Sequence, residues 1–207
     1  MINKVFQWFN ESYGWQDSIP VTLELGHSKL LVITGENASG KSLLRRILQS
    51  LAIQDKIESI STSPELRQMG GVGNAFIYGD ESYEASGKIM AGMVLGAIRT
   101  SQKRNNPHII ILDEPDMGLS DNAAAGVGEE IVDFCNNPAH HLVLFVVITH
   151  RKAMLESFLR AKASHIRVGD TMSLEAVVKQ PLIPLRPKVL VERAHKMFIE
   201  VGKLLKS

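Results

Sequence analysis

Residues 32–44 read VITGENASGKSLL, and the fold follows from how this stretch is understood. It begins inside an unbroken apolar run, KLLVIT (29–34), which is the pattern of a strand buried on both faces. It ends in KSLLRRILQSLAI (41–53), whose apolar residues recur at helical spacing. Between them lies Gly35-x-x-x-x-Gly40-Lys41-Ser42, the full G-x4-G-K-[ST] pattern in the strand–loop–helix setting that this motif requires. Glycines let backbone N–H groups curl around a phosphate without Cβ clashes. The helix start adds the positive end of its dipole. The expected binding loop is Gly35, Glu36, Asn37, Ala38, Ser39, Gly40, Lys41, Ser42 and Leu43. Lys41 is expected to reach the β- and γ-phosphates and Ser42 to ligate Mg²⁺.

Outward from this loop, apolar strands alternate with helices. Strands are expected at VTLEL (21–25), NAFIYG (74–79), HIIIL (108–112), LVLFVVIT (142–149) and SHIRVG (164–169). Helices are expected at 88–104, 123–137, 151–161 and, amphipathic, from Pro187 to Lys206. In the 88–104 helix the small residues Ala91, Gly92, Gly96 and Ala97 imply close packing, because glycine inside a helix otherwise costs roughly 1 kcal/mol. The pattern is that of an α/β protein with a mostly parallel central sheet, an N-terminal antiparallel β portion, flanking helices and a C-terminal helix. One domain is expected over 1–180, with a basic helical tail over 181–207.

Composition sets the outer limits. The 207 residues are 44% hydrophobic and 22% charged, as in ordinary globular chains. A net charge of +1 gives no general pull toward nucleic acid or anionic membrane. The one cysteine, Cys135, allows no intramolecular disulfide and fits a reducing compartment. The N-terminus lacks the features of a signal peptide, and the longest apolar run, HLVLFVVI (141–148), is too short to span a bilayer. A cytoplasmic protein with no intrinsic membrane segment is the expectation.

Two further elements carry chemistry. HIIILDEP ends an apolar strand in Asp113-Glu114. A carboxylate at a strand's C-terminal edge can hold Mg²⁺ through its water shell, and its neighbour can polarise an attacking water. LFVVITH ends another buried strand in His150, 37 residues after Asp113, where an imidazole can hydrogen-bond a γ-phosphate and sense its loss. Lys41, Glu114 and His150 are therefore the expected catalytic residues, with Ser42 and Asp113 as metal ligands.

GENASGKS, IIILDEPDMGLSD and VVITHR, in this order, resemble the ABC-type ATPase superfamily over roughly residues 10–180. In that resemblance 35–42 is the Walker A loop, Asp113 the Walker B aspartate, Glu114 the catalytic glutamate, MGLS (117–120) the D-loop and His150 the switch histidine. SHIRVGD with SLEAVVKQ is similar to the strand and edge element that close such domains. Tyr13 lies where the family places an aromatic that stacks on adenine, with Trp15 as the neighbouring alternative. The resemblance implies a Mg²⁺-dependent ATPase that dimerises head to tail around ATP. It also implies a role in DNA maintenance or defence beside a separate effector, DNA being a possible ligand. A transporter subunit and a nucleotide-binding regulator with little turnover are the alternatives.

The departures from the family are specific. No LSGGQ signature is present, and Gln68 is a weak stand-in for a Q-loop. The 45 residues from Lys41 to Ser86 are too few for a transporter's helical subdomain, and the compact spacing is closer to a MutS-type ATPase domain. In DESYEASGKIMAG (80–92), Ser86 and Gly87 fall where a signature loop would be offered to a second subunit's nucleotide. Two readings stand, and they are compatible: Ser86-Gly87 contacts the partner's nucleotide, or Ser86 caps a helix.

Overall fold

The structure, a computed structural model, describes residues 21–62 apart from His27 and Ala38, residues 86–204 apart from Leu182, Ile183 and Leu185, and Gln7. The strand expected at 74–79, Gln68, Tyr13 and Trp15 lie outside these residues. In chain order the described elements are strands β1 (Val21–Glu24) and β2 (Leu30–Gly35), helix α1 (Lys41–Gln54), strand β3 (Glu58–Thr62) and helix α2 (Ser86–Lys103). Then follow β4 (His108–Asp113), α3 (Asp121–Asn136), β5 (Leu142–Ile148), α4 (Lys152–Arg160), β6 (Ser164–Val168), α5 (Leu174–Lys179) and α6 (Pro187–Leu204).

Six strands form one mixed sheet in the order β1-β6-β2-β5-β4-β3. Among the described strands only β1 runs antiparallel, paired to β6 with Val21 opposite Val168. The other four pairings are parallel. Parallel neighbours need crossovers, and the helices that make them cover both faces. Alternate residues of the central strands therefore enter two different cores. Leu31, Ile33, Ile109, Ile111, Val146 and Ile148 meet α1 through Leu44, Leu48 and Ala52. Leu30, Val32, Ile110, Leu112, Phe145 and Val147 meet Val94 and Ile98 of α2, Ile131 and Phe134 of α3, and Met154 and Phe158 of α4. This double burial is why β2, β4 and β5 read as unbroken apolar runs. Cys135 is part of the second core, and burial pushes its thiol up to about 12. Among the described residues, no helix is long and apolar enough to cross a membrane.

Two features differ from the sequence expectation, and a third is open among the described residues. β3, ESIST, has no apolar run to announce it: it is the last of the described strands in the sheet order, its first two residues are exposed and its pairing to β4 is held by backbone bonds. SLEAVVKQ supplies the short helix α5, capped by Ser173, whose hydroxyl accepts from the Ala176 N–H. In α2, Ala97 is buried as expected. A Cβ added at Gly92 or Gly96, however, would meet nothing within 4 Å among the described residues.

One buried polar group gives the fold a pH dependence. His165 of β6 has no exposed side-chain surface. Its Nδ1 lies 3.0 Å from Glu24 Oε2 and its Nε2 lies 2.7 Å from Thr34 Oγ1. A carboxylate only accepts, so Nδ1 donates to Glu24 and Nε2 accepts from Thr34. Burial lowers the imidazole's pKa, outweighing the upward pull of Glu24. The unfolded chain then takes up the proton first. Stability from neutral His165 is complete above about pH 6.5 and is lost as pH falls below it. The urea midpoint should fall between pH 7.5 and 5.5, and His165→Gln should shallow that fall. Equal slopes for the two proteins would show that His165 does not set the dependence.

Candidate functional site

The strand order puts the C-terminal ends of β2, β5 and β4 side by side, and each end delivers one of the singled-out elements. β2 runs into the 35–42 loop. Its geometry depends on glycine at two positions. A Cβ on Gly35 would stand 2.4 Å from Ser39 Oγ and 2.6 Å from the Val168 carbonyl oxygen of β6. Gly40 has φ 104°, a backbone region that side chains disfavour, and it occupies the cap position of α1. Among the described residues no side chain caps α1 or α4, whereas Ser120 caps α3 and Ser173 caps α5. The first N–H groups of α1 therefore face the loop without a capping side chain, which makes an anion-binding helix start. The turn is closed by Ser39 N–H donating to the Glu36 carbonyl at 3.1 Å. Ser39 Oγ is buried with no hydrogen-bond partner among the described residues.

Lys41 is buried, and its Nζ donates to the carbonyls of Gly35 at 2.9 Å and Glu36 at 2.8 Å. Burial lowers its pKa, while the charges of Glu114 and Asp113 pull it back up. The ammonium and the two strand-end carboxylates thus share one electrostatic site. Asp113 closes β4, where its carboxylate lies 3.3 Å from the Arg45 guanidinium. Glu114 follows with φ 50°, a left-handed conformation that costs a non-glycine residue roughly 1–2 kcal/mol. Its N–H donates to the Ile148 carbonyl of β5 at 2.9 Å, which ties the turn to the neighbouring strand end. Strain of this kind persists where surroundings over-determine it. Here it re-aims a carboxylate: Glu114 Oε1 lies 3.9 Å from His150 Nδ1. His150, half-exposed, leaves β5 after Thr149, whose N–H donates to Ile33 of β2 at 3.1 Å.

The structure therefore brings together Lys41, Asp113, Glu114 and His150, with Ser42 exposed in the first turn of α1. Ser42 and Asp113 present hard oxygen donors of the kind Mg²⁺ takes, and the glycine cradle with its buried Ser39 hydroxyl fits a phosphate. Ala38 and Tyr13 lie outside the described residues, as does the Ser86 side chain. The backbone of α2 begins at Ser86, which places that residue in the first helical turn. Gly87 packs on the loop after β4. A Cβ there would come 3.1 Å from the Gly118 carbonyl oxygen and 3.2 Å from Leu119. Ile89, Met90 and Met93 extend this contact to Leu119 and Ala124.

Three arginines complete the site without having been singled out beforehand. Arg151 bridges Asp116 at 3.4 Å and Asp121 at 2.9 Å, joining the residue after His150 to the 116–121 loop. Arg193 of α6 pairs with Glu36, so the C-terminal helix touches the binding loop. A cleft of about 270 Å³ beside that loop is lined by, among others, Glu36, His150, Lys152, Arg167, Gln180 and Leu190. Arg45 was visible in principle. The buried positions of α1 are Lys41, Leu44, Arg45, Leu48 and Ala52, and a charge on that stripe calls for a partner. Nothing in the sequence pattern marks Arg151 or Arg193, because their partners are distant in the chain.

No protein-family model matches the chain, and no curated protein is significantly similar to it. The loop geometry can be tested on its own terms. Gly35→Ala drives a methyl against the β6 backbone, so β2 and β6 must separate locally. It should lower unfolding stability by about 1–3 kcal/mol in urea titrations. A loss under 0.5 kcal/mol would mean that the loop does not need its close approach.

Proposed function

We propose that the chain is a Mg²⁺-dependent ATPase of the P-loop class, with the site layout of ABC-type ATPases, and that two copies clasp ATP head to tail. The observation that carries this reading is the convergence of Lys41, Asp113, Glu114 and His150 around the uncapped start of α1, from three adjacent strand ends. Structural ion pairs alone do not explain a half-exposed histidine facing a strained glutamate at the mouth of a glycine cradle.

In this reading the 35–43 backbone and the α1 N-terminus bind the phosphates of ATP. Lys41 exchanges its loop carbonyls for phosphate oxygens and offsets charge that develops on the transferred phosphoryl group. Ser42 and Asp113 would hold Mg²⁺, which would supply further charge neutralisation. Glu114 accepts a hydrogen bond from the attacking water and orients it in line with the phosphorus. His150 donates to the γ-phosphoryl group. Through Glu114 on one side and Arg151 on the other, His150 passes its gain or loss to the 116–121 loop and the start of α2. That start, Ser86-Gly87, is the surface proposed to meet the partner's nucleotide. The exposed α6, with Lys188 and Lys196 beside Val191 and Ile199, is the proposed surface for an effector in DNA maintenance or defence.

Glu114→Gln keeps the side chain's size and removes its ability to polarise water. It should bind ATP as the wild type does but hydrolyse it at least about 100-fold more slowly. With ATP and Mg²⁺ it should also accumulate as a dimer in light scattering. Wild-type turnover in Glu114→Gln would overturn the assignment of Glu114. A monomer at every concentration would overturn the head-to-tail dimer.

A further inference from the structure

We infer that Arg45 is a positioning residue that keeps the Asp113 carboxylate aligned, and that its charge tunes the metal site to take a divalent cation together with polyphosphate rather than alone. The inference rests on the nucleotide reading above and goes beyond it in naming what controls metal affinity.

Arg45 stands one helical turn beyond Lys41 on the inner stripe of α1. Its side chain is 7% exposed and that of Asp113 is 12% exposed, with Nε 3.3 Å from Oδ2. A guanidinium cannot lose its proton, so burying one demands a compensating charge. Leu44 and Leu48 on the same stripe show that an apolar residue would suit the packing. A well-packed apolar replacement for a buried ion pair is often neutral or stabilising. Stability is therefore a poor reason for the arginine, and its partner is the better one. The pair joins the helix that carries Lys41 and Ser42 to the strand end that carries Asp113 and Glu114, across the width of β5.

The charge balance gives the consequence. Arg45 fixes one positive charge 3.3 Å from the Asp113 carboxylate, and Lys41 sits in the same field, which Glu114, Asp113, Arg167 and Glu36 share. A divalent cation arriving alone meets the Arg45 guanidinium already beside the Asp113 carboxylate, and the Lys41 ammonium in the same site. A cation arriving with phosphates brings its own negative charge and occupies Lys41. Removing the Arg45 charge takes away the fixed cation beside Asp113, and a lone divalent cation binds more readily.

The direct test is Mn²⁺ binding to the nucleotide-free protein, followed by the electron paramagnetic resonance of free Mn²⁺. Arg45→Met should bind Mn²⁺ at least about tenfold more tightly than the wild type. Arg45→Lys, which keeps the charge, should stay near the wild type. In turnover assays Arg45→Met should need less Mg²⁺ for half-maximal rate while its limiting rate falls, because Asp113 has lost its alignment. Equal Mn²⁺ affinity in folded Arg45→Met and wild type overturns the inference. Arg45→Gln is the second neutral variant. If neither neutral variant folds, Arg45 serves the fold alone and the inference falls as well. Failure of the nucleotide reading shows itself separately, as an absence of ADP binding by the wild type in metal-free buffer. The Mn²⁺ comparison on free protein does not depend on that result.

Discussion

The polar groups of the candidate site are organised by the burial of β2, β5 and β4 on both faces. With α1 against one face and α2, α3 and α4 against the other, these strands have no wet side along their length. Polar groups that must meet a ligand can then appear only where the strands stop. Parallel pairing puts all three stops on one edge, and the order β2-β5-β4 fixes which neighbours they have. The glycine loop, the Asp113-Glu114 pair and His150 are adjacent for this reason, although 37 residues separate Asp113 from His150 in the chain. Cross-strand bonds from Glu114 to Ile148 and from Thr149 to Ile33 hold the three stops in mutual register.

Concentrating charge at one edge creates an electrostatic problem, which the fold meets with arginines. Arg45 is opposite Asp113, Arg151 bridges Asp116 and Asp121, Arg167 pairs with Asp170 and Arg193 pairs with Glu36. The pairs differ in weight. Arg45 and Asp113 are both largely buried, so losing either partner strands a charge in a low dielectric. Arg193 and Glu36 are both about half exposed, and pairs of that kind contribute at most about 1 kcal/mol. The C-terminal helix is therefore tied to the binding loop by a contact weak enough to exchange. The turn that carries Glu114 is fixed firmly enough to hold a left-handed φ.

How much of this was legible in the sequence follows from what each residue does locally. β2, β4 and β5 announce themselves because double burial demands uninterrupted apolar residues. The 35–42 loop announces itself because close approach at Gly35 and a left-handed Gly40 admit little but glycine. β3 was silent because its pairing to β4 needs only backbone partners, and ESIST satisfies that with polar side chains. Arg45 could have been found from its place on the buried stripe of α1. Arg151 and Arg193 could not, since an ion pair across the fold leaves no trace in local spacing.

The claim on which the rest stands is that the glycine cradle and Lys41 bind the phosphates of a nucleotide. Isothermal titration of ATP with Mg²⁺ into the wild-type protein and into Lys41→Ala tests it most directly. The wild type should bind saturably, one nucleotide per chain. Lys41→Ala should lose at least tenfold in affinity, as expected when a buried charge-assisted contact is removed. Absence of binding to the wild type at millimolar ATP, or equal affinity in the two proteins, would contradict the account.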